Sequence, residues 1–262
     1  MAVEPELTAA CATAYAHPAV RWLLGGELHP GGSGATRRAL ELISLEPGET
    51  LLDVACGDGA SAMLAAREFG CLAAGLECAP GAVAEAQSAA ESVGLGDRAA
   101  FIHGDAHALP FGEGSFDAVL CECALSTFPD PAAALAEIHR VLRPGGRVAI
   151  SDVTTDPGRL PAALLGALGG VACVAGARSA AGYELLLGES GFEPIATERR
   201  DDDAAAMAAR AIDRLRGARL LGFGDLSVAG FDLDDALELG KLAQRAIDDG
   251  ALGYAILAGR RR

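Results

Sequence analysis

The run Leu51-Leu52-Asp53-Val54-Ala55-Cys56-Gly57-Asp58-Gly59 is apolar until it breaks into two glycines one residue apart. Glycine lets the main chain approach a ligand closely, and a helix starting there offers N–H groups and the positive end of its dipole. A carboxylate or phosphate suits such a turn. Gly57-x-Gly59-x-x-Ala62 also fits a dinucleotide fingerprint, with Glu77 about 20 residues on, where a ribose-binding acid is expected. Asp105 lies in Gly104-Asp105-Ala106, another small-residue turn. Cys121-Glu122-Cys123 offers two thiols and a carboxylate, and Cys173 a third thiol. Thiolates are soft ligands. Glu122 is the nearest candidate general base, with His29 and His107 more remote. His29 reads as a solvent-facing loop histidine, with a place at a ligand entrance as the alternative.

The elements that must position these residues alternate. Leu51–Val54 is a buried strand and Ala60–Phe69 a helix. Cys71–Glu77 is the second strand, followed by the helix Pro80–Val93, with proline in its first turn. Ala99–His103 and Phe116–Cys121 are the third and fourth strands. The amphipathic helix Pro131–Leu142 and the turn Pro144-Gly145-Gly146 lead to strand five, Arg147–Asp152. Such alternation means a parallel sheet wound on both faces, with ligands at the carboxyl ends of the strands. Glu77, Asp105, Cys121 and the glycine turn all fall at such ends. Two residues apart on an extended chain, Cys121 and Cys123 are expected to point to one side. Helices are expected at Thr8–Leu24 and Thr36–Ile43 before the first strand. After strand five come the helix Tyr183–Ser190 and strand six from Gly191. Two further helices, Ala204–Leu221 and Leu233–Asp249, precede a last strand at Tyr254–Leu257.

The run from Asp53 to Gly59 resembles the D-x-x-x-G-x-G motif of class I S-adenosylmethionine-dependent methyltransferases. Gly104-Asp105-Ala106-His107-Ala108-Leu109-Pro110-Phe111 resembles a second segment of that family, and Arg140-Val-Leu-Arg-Pro-Gly-Gly-Arg147 a third. The resemblance covers residues 46–155 and implies S-adenosylmethionine as cofactor, with S-adenosylhomocysteine as product. It assigns Asp53, Ala55, Cys56, Gly57 and Gly59 to the turn around the methionine moiety. Glu77 ends the second strand, where a carboxylate can accept from both ribose hydroxyls, and Cys78 follows it. Gly104, Asp105 and Ala106 face the adenine, and Cys121 ends the fourth strand. The implied fold is α/β: a doubly wound Rossmann-like sheet of about seven strands, the last antiparallel. It carries an N-terminal helical cap and a helical insertion before the last strand. The chain reads as one domain, 1–262, with a cap at 1–45, a cofactor core at 46–155 and a substrate side at 156–262.

A narrower resemblance is to arsenite methyltransferases, through Cys123 and through Cys173 in Cys173-Val-Ala-Gly-Ala177. It implies that these two thiolates hold trivalent arsenic, a catalytic metalloid site in which proximity supplies much of the rate. The pattern departs from that branch: Cys-Glu-Cys-Ala stands where Ser-Asn-Cys-Val is usual. Cys11 is the one cysteine before the glycine turn, and Cys121 is a possible third ligand. The alternative acceptor is a small organic metabolite methylated on O, N, C or S. A nicotinamide oxidoreductase and a non-catalytic metalloid sensor are readings from other classes. Oxidation of Cys123 and Cys173 to a disulfide would inhibit.

Composition bounds the partners. The chain has 262 residues, 51% of them hydrophobic, enough for a large core. A net charge of −15 argues against phosphate backbones, hence no nucleic acid. Seven cysteines with no basic, apolar leader point to a reducing, cytoplasmic setting. The uncharged stretch Leu160–Ala177 contains Pro161 and four glycines, so it is expected as a buried cap segment rather than a membrane span. Nothing in the sequence sets the oligomeric state.

Overall fold

A strand apolar on both faces must be covered on both, which a parallel sheet between helices achieves. The computed structural model describes residues 17–156, 158–167, 173–221 and 232–262. One sheet holds β1 (Thr50–Val54), β2 (Leu72–Glu77), β3 (Ala99–His103), β4 (Phe116–Glu122), β5 (Leu142–Thr155), β6 (Phe192–Arg199) and β7 (Leu252–Arg261). Their order is β3-β2-β1-β4-β5-β7-β6. β1 to β5 run parallel, and β7 is antiparallel to both β5 and β6. The doubly wound sheet with an antiparallel last strand is therefore present.

The helices are α1 (Pro18–Leu24), α2 (Gly32–Leu42), α3 (Ala60–Leu64, prolonged by a π turn to Phe69), α4 (Pro80–Ser92) and α5 (Pro131–Val141). They continue with α6 (Ala162–Ala167), α7 (Ala180–Glu189), α8 (Asp201–Leu220) and α9 (Leu233–Asp248). Local chemistry marks several starts. Asp130 accepts from the Ala133 N–H and Pro131 opens α5; Asp232 caps α9 in the same way. Period-two alternation splits the core between the two faces. Leu51, Leu120, Tyr254 and Ile256 pack with Ala39 and Leu40 of α2. Leu52, Val119, Ile150 and Leu257 pack with Leu135 and Ile138 of α5 and Tyr183 of α7.

Three local expectations change. The first described helix starts at Pro18, with His17 as its cap, and the remainder of the expected Thr8–Leu24 helix lies outside the described residues. Strand five starts at Leu142, and Pro144-Gly145-Gly146 forms a bulge: Leu142 pairs with Phe116 and Arg147 with Ala118. Strand seven is ten residues long, because it pairs along β5 and β6 at once.

The two-helix insertion has a structural task. Ile212, Leu215 and Ala218 of α8 meet Leu233 and Leu237 of α9, and Leu23 of α1 packs against them. Arg214 Nη1 donates to Leu23 O at 2.9 Å, and Arg210 pairs with Glu27 at 2.8 Å. Truncating a leucine buried as Leu215 is to alanine costs roughly 2–5 kcal/mol. The insertion thus holds the N-terminal cap in place. Leu160, Leu164 and Val174 are buried against Ala246, Ala251 and Leu252, as expected for a cap segment; residues 168–172 lie outside the described residues. Among the described residues no helix is long and apolar enough to cross a membrane.

Candidate active site

β1 lies between β2 and β4, so the chain leaves it in opposite directions and a crevice opens at the strand ends. Ala55, just past β1, has φ +60°, and Gly57 and Gly59 have φ +55° and +77°. This succession of left-handed residues turns the main chain sharply into α3, whose N-cap is Gly59 and whose Ala60 N–H donates to Asp58 Oδ1 at 3.3 Å. A Cβ on Gly59 would lie 2.5 Å from the Phe101 ring, so packing as well as conformation requires glycine there. A Cβ on Gly57 would lie 3.1 Å from Leu28 of the cap loop, which covers the turn.

Glu77 ends β2 and is buried. Its Oε2 accepts from the Gly57 N–H at 3.0 Å, and its Oε1 from the Ala79 N–H at 3.0 Å and the Cys78 thiol at 3.2 Å. It ties the second strand to the glycine turn, and Oε2 keeps a lone pair for a further donor. Cys78 itself is exposed. Asp53 is buried in β1, and its Oδ2 has no hydrogen-bond partner. Burial, then the nearby Glu122 charge, pushes its carboxyl well above the usual range. Asp58 pairs with Arg21 of α1 at 2.6 Å. Past β3, Asp105 is exposed and its neighbour Ala106 buried. The His107 N–H, 2.9 Å away, holds the Asp105 carboxyl below its ordinary value. His107 Nδ1 also faces this carboxylate at 2.8 Å, so His107 belongs to the third-strand turn rather than to Glu122.

Glu122, the last residue of β4, sits at the centre of a buried polar cluster. Ser61 of α3 donates to its Oε2 at 2.6 Å. Thr36 Oγ1 of α2 lies 3.1 and 3.2 Å from the two oxygens. Ser151 Oγ of β5 lies 3.4 Å away and accepts from Tyr254 OH at 2.8 Å. His29 is not the solvent-facing residue expected. Its side chain is 11% exposed, and Nε2 stands 3.6 Å from Glu122 Oε2. The loop that carries it folds inward over α3, with Thr36 Oγ1 3.3 Å from the same nitrogen. His29 Nδ1 contacts Pro30 O at 3.2 Å. Thr36, Ser61, Ser151 and Tyr254 carry no sequence signal of this role, because isolated hydroxyls are common anywhere.

The cysteines divide. Cys121 is fully buried among the α5-side core residues, whereas Cys123 packs against the opposite cluster. The shared side expected for the two thiols is therefore wrong. Cys123 lies one residue past the end of β4 at φ +49°, and one left-handed residue cancels the period-two rule. Cys173, at φ +58°, donates from Sγ to Cys123 O at 3.2 Å, which brings the two cysteines side by side. The Cys173 side chain, and then burial, pushes the Cys123 thiol well up. Cys11 lies outside the described residues. Among the described residues no group of three or more His, Cys, Asp or Glu is arranged to hold a metal ion, so a third ligand from Cys121 is not formed. Asp152, beside Cys173, accepts from the Ser126 N–H and Oγ at 2.9 and 2.8 Å. Burial, then Cys173, pushes its carboxyl up to about 8.

The sequence model of the family described as a methyltransferase domain matches residues 52–150. The chain is 30% identical over 233 residues to 27-O-demethylrifamycin SV methyltransferase of Amycolatopsis mediterranei, covering 86% of this chain and 82% of that protein. It is 32% identical over 188 residues to an arsenite methyltransferase of Halobacterium salinarum, covering 68% of this chain but 46% of that protein. Among solved structures, the [4+2]-cyclase SpnF has a TM-score of 0.76 at 25% identity, covering 100% of this chain and 98% of that one. A Haemonchus contortus phosphoethanolamine N-methyltransferase with S-adenosyl-L-methionine has a TM-score of 0.78 at 20% identity, covering 95% and 56%. With methyltransferase relatives matching along the glycine turn and beyond it, the nicotinamide reading of that turn does not stand. A glycine turn flanked by buried acids, on this sheet and with a relative matched over most of both chains, has one family to go to: the chain belongs to the class I S-adenosylmethionine-dependent methyltransferases, and S-adenosylmethionine is its cofactor.

Proposed function

We propose that the crevice presents a small organic acceptor for methylation and that Glu122, with His29 behind it, takes the acceptor's proton. Bound S-adenosylmethionine supplies an electrophilic methyl group on a positively charged sulfur. Asp53, Ala55, Cys56, Gly57 and Gly59 would hold its methionine end, Glu77 and Cys78 its ribose, and Gly104, Asp105 and Ala106 its adenine, with Cys121 as buried support. The fit rests on the unpartnered Asp53 Oδ2 and on the carboxylates of Glu77, Asp58 and Glu122, which together suit a cationic ligand.

The observation that carries the base assignment is the buried Glu122–His29 pair at the end of β4. A hydroxyl acceptor must lose its proton as it gains a methyl group. A carboxylate backed by an imidazole can take that proton and spread the charge. A relative whose name specifies a 27-O-demethyl substrate supports an oxygen acceptor.

The contact between Cys123 and Cys173 favours a second reading, trivalent arsenic held by the two thiolates. Such an acceptor needs no base. The two readings separate in one assay: conversion to S-adenosylhomocysteine with phenols, alcohols and amines, and with arsenite plus glutathione. Product from a hydroxyl acceptor, reduced about 10²- to 10⁴-fold in Glu122→Gln and unchanged in Cys123→Ser/Cys173→Ser, supports the base. Product from arsenite alone, lost in the cysteine variant, supports the thiolates. Hydroxyl turnover that survives Glu122→Gln within a few-fold refutes the base.

A further inference from the structure

Cys123 and Cys173 are 50 residues apart in sequence, yet the Cys173 Sγ lies 3.2 Å from the Cys123 carbonyl oxygen, which sets the two side chains side by side. Both have left-handed backbone, which a non-glycine residue keeps only where its surroundings impose it. The pairing therefore comes from the fold and not from a chance rotamer. Cys123 as a residue is partly exposed, although its thiol is turned inward, and Cys173 is buried. Cys56, Cys71 and Cys121 are buried in the core, and the exposed Cys78 thiol is engaged by Glu77.

We infer that Cys123 and Cys173 form a reversible dithiol–disulfide modification site, oxidised by hydroperoxides, on the acceptor side of the crevice. The neighbouring Cys173 and burial hold the Cys123 thiol protonated, so the reaction is slow; its sulfur takes one peroxide oxygen as the O–O bond breaks, giving a sulfenic acid and, from hydrogen peroxide, water. The sulfur of Cys173 then attacks that of Cys123. The S–S bond forms, the S–O bond breaks, and the Cys173 proton leaves with the hydroxyl as a second water. The two thiols lose two electrons and two hydrogens, and the peroxide is reduced to water. The new bond ties the residue after Glu122 to the segment that returns to β5, where the Thr155 N–H donates to Arg178 O at 3.0 Å. The ends of β1, β2 and β3 are not involved, so the cofactor side stays open. This holds whichever acceptor takes the methyl group.

The test uses the reduced full-length protein and hydrogen peroxide, followed by alkylation under denaturing conditions and peptide mapping by mass spectrometry. The expected product is a linked Cys123–Cys173 peptide two hydrogens lighter than its halves, restored to two alkylated thiols by dithiothreitol. Calorimetry should give a dissociation constant for S-adenosylmethionine within about twofold of the reduced protein. In Cys173→Ser, or Cys173→Ala if serine disturbs that buried position, Cys123 should be trapped as a sulfenic acid by dimedone. Oxidation at Cys78 with both Cys123 and Cys173 still alkylatable would overturn the inference. So would Cys123 sulfinic acid beside an intact Cys173 thiol. Loss of cofactor binding on linkage would overturn its placement on the acceptor side.

Discussion

Replacing Glu77 with glutamine separates its observed tie to the glycine turn from the ribose contact proposed for it. The wild-type carboxylate accepts from the Gly57 and Ala79 N–H groups, both at 3.0 Å, one on each oxygen. Glutamine keeps the shape but offers one acceptor oxygen, and its amide group then faces the other N–H as a second donor. An N–H left unpaired in a buried site costs about 1–3 kcal/mol, and that is the expected loss of unfolding free energy in urea. The cofactor role adds a separate loss. Hydrogen bonds from ribose hydroxyls to a charged acceptor contribute about 1.5–3 kcal/mol, which converts to a dissociation constant for S-adenosylmethionine weaker by about 10- to 150-fold. Isothermal titration calorimetry reads this without any methyl acceptor. A variant that loses stability but binds the cofactor within about twofold of wild type would show that Glu77 only ties β2 to the turn, and the ribose assignment would fall.

Two further perturbations follow from buried groups. The Asp152 carboxyl sits at about 8 in the fold, against about 3.9 unfolded, so the folded state binds more protons between those values. Stability supplied by the protonated acid is complete below the unfolded value and is lost as pH rises towards the folded one. The stability difference between wild type and Asp152→Asn should therefore shrink from about pH 5 to about pH 8 in urea titrations; an equal difference at both would refute the assignment. Gly59→Ala places a Cβ 2.5 Å from the Phe101 ring. It also puts alanine in left-handed backbone, which costs about 1–2 kcal/mol before the ring moves. A lowered melting temperature and weakened cofactor binding are expected, and an unchanged melting curve would sink the steric argument.

Much of the crevice at the strand ends is legible in the chain itself. A parallel sheet puts all its strand ends on one edge, so Gly57, Glu77, Asp105 and Glu122 converge once the alternation of strand and helix is recognised. The insertion helices are visible as elements, at Asp201–Leu220 and Leu233–Asp248. Their task is not, because nothing in α8 says that Leu23 of α1 will pack against it. The acceptor side escapes sequence reading for the same reason. His29 looks like any loop histidine until the cap loop folds onto Glu122, 93 positions later, and Thr36 and Ser61 join them.

Local rules also fail where one residue departs from its element. Cys121 and Cys123 obey strand alternation on paper, but the left-handed turn at Cys123 sends its thiol to the other face and its carbonyl oxygen towards the Cys173 thiol. The amino-acid sequence alone determined the fold class, the glycine turn and the acids at the strand ends, because these depend on short-range backbone chemistry and a regular apolar period. Only the tertiary structure decided the Glu122–His29 pair, the meeting of Cys123 with Cys173 and the buried Asp152, because each depends on long-range packing and on one or two torsions that no local pattern encodes.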